Sequence, residues 1–274
     1  MAICFIPSTP LTKLAIVVAL TISFFNSAVA EMTGSGWEHE VKAYLFATSI
    51  EGDLGLQDVN VPVDVGFDDI LDKLKFGGMA YYEGRKDDTI SVILDVAYID
   101  LYYKSTPINN NLITVNAKAE YSQLVVEALA GFKVVDYENS DAFSGSVKVD
   151  LIGGLRLNQL DLALGTNAAL LGLTSSSARG KEVSWVDPVA GARLRFEPAE
   201  NVKLNLYGDY GGFGLGADST WQLAASGTYE FENNVQLSGG YRVLYMDYEE
   251  GSGTNYFNYD ATYHGPFAGV GYRF

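Results

Sequence analysis

Apolar and polar residues alternate with a period of two over the last third of the chain. Asn201 to Tyr210 reads NVKLNLYGDY, with Val202, Leu204 and Leu206 on one face and Lys203, Asn205, Tyr207 and Asp209 on the other. Thr220 to Phe231 sets Trp221, Leu223, Ala225, Gly227, Tyr229 and Phe231 against Gln222, Ser226, Thr228 and Glu230. Val235, Leu237, Gly239, Tyr241, Val243 and Tyr245 likewise oppose Gln236, Ser238, Gly240 and Arg242. Successive side chains of an extended strand point to opposite faces, so each stretch predicts a strand with one apolar side.

The connections alternate as well. Asp87-Asp88, Ala199-Glu200-Asn201 and Asn233-Asn234 are short polar turns of the hairpin kind. Between them lie longer segments, 48–74, 105–111, 165–182, 212–218 and 249–256. Short and long connections in turn are the mark of an antiparallel up-and-down barrel whose two ends face different compartments. The pattern predicts ten strands, near 37–47, 75–86, 89–104, 112–136, 144–164, 183–197, 201–211, 218–231, 235–248 and 257–274. The turn from Tyr137 to Phe143 is longer than its counterparts. Eight strands stay open, as do twelve if VPVDVGF (Val61 to Phe67) pairs.

A soluble β-sandwich also alternates, so alternation alone does not place the apolar face in lipid. Aromatic placement separates the two. Trp37, Tyr82, Tyr98, Phe132, Phe196, Tyr210, Trp221, Phe231, Tyr245 and Phe274 fall near strand ends on the apolar face. Two aromatic girdles belong to a membrane barrel and have no purpose in a sandwich. The expected fold is therefore an all-β, antiparallel transmembrane β-barrel over residues 31–274.

The first 30 residues change the picture of location. Lys13 precedes the apolar run LAIVVALTISFF, and Ala28-Val29-Ala30 forms a small-x-small cleavage pattern ahead of Glu31. That is the layout of a cleaved secretory signal peptide, and the run is short for a bilayer-spanning helix. Cys4, the only cysteine, lies ahead of that run within the leader, so no disulfide or thiolate chemistry is expected downstream. The net charge of −16 becomes about −17 without Lys13. Such an acidic chain disfavours nucleic acid as a partner.

Parity also sorts the charges. The inward face collects Lys42, Glu83, Arg85, Asp95, Glu127, Arg156, Arg193, Arg195, Lys203, Asp209 and Arg242, together with Glu38, Glu40, Lys133, Lys148, Asp150, Glu230 and Arg273. Bases and acids nearly balance there. The acidic excess is therefore expected in turns and loops, at Asp53, Asp58, Asp68, Asp69, Asp72, Asp87, Asp88, Glu249 and Glu250. Inward charges either brace a narrow lumen by pairing across it or line a watery path with a mild preference for anions. Barrels of about eight strands are filled by side chains, and ten lies near that end.

One stretch departs from the strand pattern. In GFDDILDKLKF, Phe67, Ile70, Leu71 and Leu74 follow helical spacing after Asp68 as an N-cap, which predicts a short helix over 67–74 in the first long loop. It is either a plug over the mouth or a helix on the rim. Candidate enzyme chemistry is thin. His39 and His264 both share parity with the apolar face, and no serine–aspartate pair is arranged around them. No His or Cys cluster has metal-ligand spacing, so neither cofactor nor metal is expected. GGFGLG (Gly211 to Gly216) is only superficially a phosphate loop, since no helix with a lysine follows.

WVDPVAGARLRF (Trp185 to Phe196), GDYGGFGLGADSTWQ (Gly208 to Gln222), GYRVLYMDY (Gly240 to Tyr248), GPFAGVGYRF (Gly265 to Phe274) and FDDILDKLKFGGMAYYEGRKD (Phe67 to Asp87) resemble a largely uncharacterised family of Gram-negative outer-membrane β-barrel proteins. The resemblance implies an outer-membrane location and brings no activity with it. Expected partners are outer-membrane lipid, lipopolysaccharide and the barrel-assembly machinery, which the alternating end with Tyr272 and Phe274 would address. Function is read first as porin-like, a narrow passive conduit for small hydrophilic solutes. The second reading is a non-conducting structural or surface-interaction protein, and the third an outer-membrane hydrolase.

Overall fold

The computed structural model describes residues 36–56, 59–104, 108–109, 113–140, 143–170 and 173–274. The leader expected over 1–30, with Cys4, and the loop acid Asp58 lie outside the described residues. The strands are β1 (Trp37–Phe46), β2 (Ser49–Leu56), β3 (Val59–Val65), β4 (Leu74–Lys86), β5 (Ile90–Lys104), β6 (Ile108–Asn109) and β7 (Ile113–Ser140). They continue as β8 (Phe143–Leu170), β9 (Leu173–Ala199), β10 (Val202–Gly211), β11 (Ser219–Glu230), β12 (Val235–Glu250) and β13 (Phe257–Arg273), with one helix, α1 (Phe67–Lys73).

Ten strands close a ring in the order β1-β4-β5-β7-β8-β9-β10-β11-β12-β13, every pair set out below antiparallel, and β13 returns to β1 through Glu40 opposite Arg273 to Phe46 opposite Phe267. The expected count of ten is the observed one. Beyond Phe46 the same pairing along β13 resumes three residues on, Ser49 opposite His264, so β2 prolongs β1. Pro266, which has no N–H to give, sits opposite the break and accepts from the Ala47 amide at 2.9 Å. VPVDVGF does pair, as β3 against β2, but outside the closed ring.

Local chemistry explains the turns. Asp87 and Asp88 both adopt left-handed φ, 49° and 50°, the conformation of a tight two-residue hairpin turn that Asp tolerates. Besides 48–74, which holds β2 and β3, two more expected loops are instead strand. β7 and β8 stay paired to Ser140 opposite Phe143, so Tyr137 to Phe143 is a hairpin end, not a long turn. The segment 165–182 likewise belongs to β8 and β9, paired up to Leu170 opposite Leu173. Hydrophobic spacing blurs there into LALGTNAALLGLTSSS, which hides the period of two. β7, β8 and β9 run 28, 28 and 27 residues, whereas crossing takes about 9–11. The three rise as a sheet far beyond the ring.

Parity decides what faces what. On β12 and β13 the even and odd positions, respectively, point inward, so Tyr241, Val243, Val270 and Tyr272 point out. The outward side is a continuous apolar belt, with Leu151, Leu155, Leu206, Leu223, Leu237 and Val270 all more than half exposed. From Val235 to Tyr245 the belt on β12 is roughly 26 Å tall for a strand tilted near 40°. An apolar band of that height encircling a protein is the signature of lipid as solvent. Among the described residues no helix is long and apolar enough to cross a membrane, so strands do the spanning.

Candidate functional site: the barrel interior

Inward-pointing side chains fill the ring in three storeys. The end of the barrel that carries the start of β1 and the end of β13 is the periplasmic one by the rule for short turns. Nearest that end, Glu83 on β4 receives both guanidinium arms of Arg193 on β9, at 2.9 and 2.8 Å, and is paired with Arg85. Arg193 also reaches Asp150 on β8 at 2.9 Å. Arg195 holds the same carboxylate at 2.9 and 3.1 Å. Asp88 joins this storey from the β4–β5 turn. Lys148 and Arg195 lie 2.9 Å from it, Lys133 3.1 Å and Arg85 3.7 Å. Partial burial works against its charge, but Lys148, Arg195 and Lys133 outweigh that and hold the Asp88 carboxyl well below the usual aspartate range.

The middle storey is built around Arg156 on β8, which is wholly buried. Its Nε donates to Glu127 on β7 at 2.7 Å, its Nη1 to Thr220 on β11 at 2.9 Å, and its Nη2 to both oxygens of Asp209 on β10 at 2.8 and 2.9 Å. Arg242 on β12 completes the floor. Its Nε donates to Gln222 at 2.6 Å and its Nη1 to the Tyr44 hydroxyl at 3.1 Å, while Tyr44 donates to Asp95 at 2.7 Å. Arg242 Nη2 also lies 3.6 Å from Glu127. One connected layer thus runs from β1 and β5 across to β12. A buried charge without partners is costly, and here each guanidinium meets carboxylates from neighbouring and facing strands.

The outer storey is aromatic and apolar. Trp185 on β9 stacks on Tyr248 of β12 at 4.2 Å, and Phe257, Tyr259, Met246, Leu160 and Val183 pack around them. The hydroxyls of Tyr121, Tyr259 and Tyr263 meet in one cluster. α1 contributes Ile70 alone, while Phe67, Leu71 and Leu74 remain exposed. The helix begins after Gly66 as N-cap, so Asp68 lies in its first turn and is not the cap. α1 is a rim helix with one side chain turned in.

Among the described residues, two cavities border the charged storeys. One of about 320 Å³ lies at the periplasmic end, lined by Lys42, Glu83, Arg85, Arg195, Lys203, Arg273 and neighbours. The second, about 160 Å³, lies between the two charged storeys among Tyr44, Asp95, Glu127, Tyr207 and Arg242. Lys42, Tyr81, Arg193, Asn205 and Thr228 border both. The residues of inward parity line the interior or its rim, except Glu38, whose side chain is 68% exposed at the open end. Lys42 pairs with Glu40 at 2.5 Å and Lys203 with Glu230 at 3.6 Å at the cavity rim, while Glu83, Arg85, Asp95, Glu127, Arg156, Arg193, Arg195, Asp209 and Arg242 join the two charged storeys.

Sequence reasoning missed several members. Asp88 reads as a solvated loop acid, yet its side chain turns into the ring. Tyr44 and Tyr81 share the inward parity but carry no charge that marks them. Asp187, wholly buried, accepts from Trp185 Nε1 at 3.0 Å, Asn158 Nδ2 at 2.9 Å and the Ala217 amide at 2.6 Å. Its alternation with Trp185 and Val189 on an inward face was the available signal. The histidines face outward as expected, but His264 does have partners, the Tyr241 hydroxyl at 3.0 Å and Glu51 at 3.2 Å. His39 lies between Tyr82 and Phe274.

Among solved structures, the chain is similar to the outer membrane protease OmpT from Escherichia coli, with TM-score 0.51 and 8% identity over 88% of this chain and 98% of that one. The fold is that of a Gram-negative outer-membrane β-barrel. Weaker likenesses are the translocator domain of the autotransporter NalP from Neisseria meningitidis (TM-score 0.36, 13% identity, 95% and 96% covered) and the attachment invasion locus protein Ail of Yersinia pestis (0.32, 12%, 88% and 100%). No family model and no curated protein matches the sequence. At these identities the outer-membrane barrel is shared as architecture, and its neighbours' roles are their own.

Proposed function

We propose that this outer-membrane barrel is a non-conducting surface protein, closed inside and presenting the β7–β9 sheet to the outside. The observation that carries the reading is Arg156. It is wholly buried, and its partners Glu127, Asp209 and Thr220 lie on three other strands. A path for solute would have to part that layer and the aromatic storey above it, leaving desolvated charges unpaired. The long strands then supply the working part, since they exceed what the membrane requires by well over half their length. His264, which reaches the Tyr241 hydroxyl and Glu51, points outward with the lipid-facing side chains of β13, and the reading is therefore non-enzymatic.

A second reading, a narrow conduit for small hydrophilic solutes, is favoured by the two cavities meeting at Arg193 and Tyr81. Planar-bilayer recording of folded protein separates them. The closed reading expects no conductance above the lipid background, with barrel circular dichroism intact. Reproducible single-channel steps would overturn it in favour of the conduit.

A further inference from the structure

We infer that the loop joining β10 to β11 is a rigid wedge seated in the outer leaflet of the bilayer, with Phe213 and Leu215 among the lipid. The level of the membrane surface can be read from the strands beside it. Tyr210 on β10 stands directly opposite Trp221 on β11, and Trp221 opposite Tyr245 on β12. The last two rings stack at 5.8 Å. Two residues further out the same outward face turns acidic, with Asp247 opposite Asp260 and Asp260 opposite Asp53. An aromatic row followed at once by a carboxylate row marks the boundary between hydrocarbon and headgroups. β10 ends at Gly211, one residue past Tyr210, so the loop begins at that boundary.

The loop carries apolar groups there and leaves them uncovered by protein. Phe213 packs edge-on against Tyr210 at 5.4 Å and stays 56% exposed, and Leu215 is 80% exposed. Phe213, through its contact with Tyr210, continues the lipid-facing belt of Leu204, Leu206 and Tyr210, and Leu215 follows two residues on. Continuity with that belt identifies the occupant as bilayer lipid.

The loop is also built to hold this pose. The buried carboxylate of Asp187 grips the Ala217 amide at 2.6 Å, and Ala217 itself is sealed in the apolar interior. Gly212 N–H donates to the Pro188 carbonyl at 3.1 Å, and Leu215 N–H to that of Gly212 at 2.9 Å. Phe213 is held at φ 53°, in the left-handed region that a bulky side chain seldom adopts. A surrounding structure that over-determines such a residue has a use for its direction. Here the ring is turned outward onto Tyr210. One side of the loop faces the interior and the other faces lipid.

The test is site-directed spin labelling of the folded barrel in dilauroylphosphatidylcholine vesicles. Leu215→Cys is compared with Leu223→Cys on the belt and Glu249→Cys beyond the acidic row. Phe213→Cys is a second reporter should the first assemble poorly. A shift of the unboiled band on a gel certifies folding. The label at 215 is expected to favour oxygen over a neutral nickel chelate as the label at 223 does, several-fold more than the label at 249. Nickel access equal to that at 249 would put the loop in water and overturn the inference. Poor access to both reagents would overturn it too, by showing a protein contact, such as a second copy of the chain.

Discussion

The amide of Phe274 donates to the His39 carbonyl at 2.9 Å, and the His39 amide donates back to the Phe274 carbonyl at 3.0 Å. Their rings stack at 5.3 Å on the lipid side. Phe274 is thus bonded to β1, and these two bonds carry the β1–β13 seam to its periplasmic end. Deletion of Phe274 removes both bonds and one ring of the periplasmic girdle. The expected outcome is reduced outer-membrane abundance, with surviving molecules retaining the unboiled band shift. Quantitative immunoblotting of membrane fractions checks it, and normal abundance of the truncated protein would contradict it.

Arg156→Met should be the most damaging single change in the interior. It removes the bidentate partner of Asp209 and leaves Glu127 with Arg242 at 3.6 Å as its remaining ion pair, beside the Gln222 side chain. Breaking a buried ion pair from one side costs about 3–5 kcal/mol, whereas neutralising all its members is often tolerated. The triple variant Arg156→Met, Glu127→Gln, Asp209→Asn should therefore recover much of the loss. Urea titration of the folded barrel in lipid measures both, and equal losses in the single and triple variants would show that charge pairing is not what holds the layer.

Much of this storey was legible as parity. Period-two alternation says which side chains share a face, and on a closed ring that is nearly the same as saying which share an interior. Arg156, Glu127, Asp209 and Arg242 followed directly. Asp88 did not, because a turn residue has no parity, and its inward reach depends on how Asp87 and Asp88 twist the hairpin. The tyrosine and Trp185 storey escaped for a different reason. Aromatics serve both girdle and core, so residue type does not mark the storey, although parity does separate Tyr245, facing lipid, from Tyr248, facing in. β8 beyond Leu164 reads as a loop because Gly, Ala and Ser keep backbone pairing while erasing the apolar period, and β7 beyond Asp136 does so because Glu138, Asn139 and Ser140 are polar on both faces.

Asp88 makes stability depend on acidity in a stated direction. Its folded-state carboxyl is held below the unfolded value, which lies near about 3.9. A depressed acid contributes stability that is fully present above the unfolded value and is lost as pH falls toward the folded one. Asp88→Asn should lower the urea midpoint by a constant amount between about pH 7 and pH 5, and the gap to wild type should close below about pH 4. A gap that stays unchanged at pH 3 would mean that the turn geometry, and not the charge on Asp88, is responsible.

Gly216 offers a test of how tightly the β10–β11 loop is clamped. A Cβ at this position would stand 2.4 Å from the Val186 carbonyl oxygen and 2.5 Å from Asp187 Oδ1. Neither is the tip of a free side chain, since Asp187 is fixed by Trp185, Asn158 and Ala217. Gly214 has open space around it, but its φ of 70° makes alanine mildly strained there. Overpacking costs about 1–3 kcal/mol, and a left-handed alanine about 1 kcal/mol. Gly216→Ala should therefore lower the urea midpoint more than Gly214→Ala, and should loosen a label at position 215 where Gly214→Ala does not. If both variants left the label equally immobile, the Asp187 grip would not be what positions the loop, and the clamp would have to lie in the bonds from Gly212 to Pro188 and from Asp218 to Asp247.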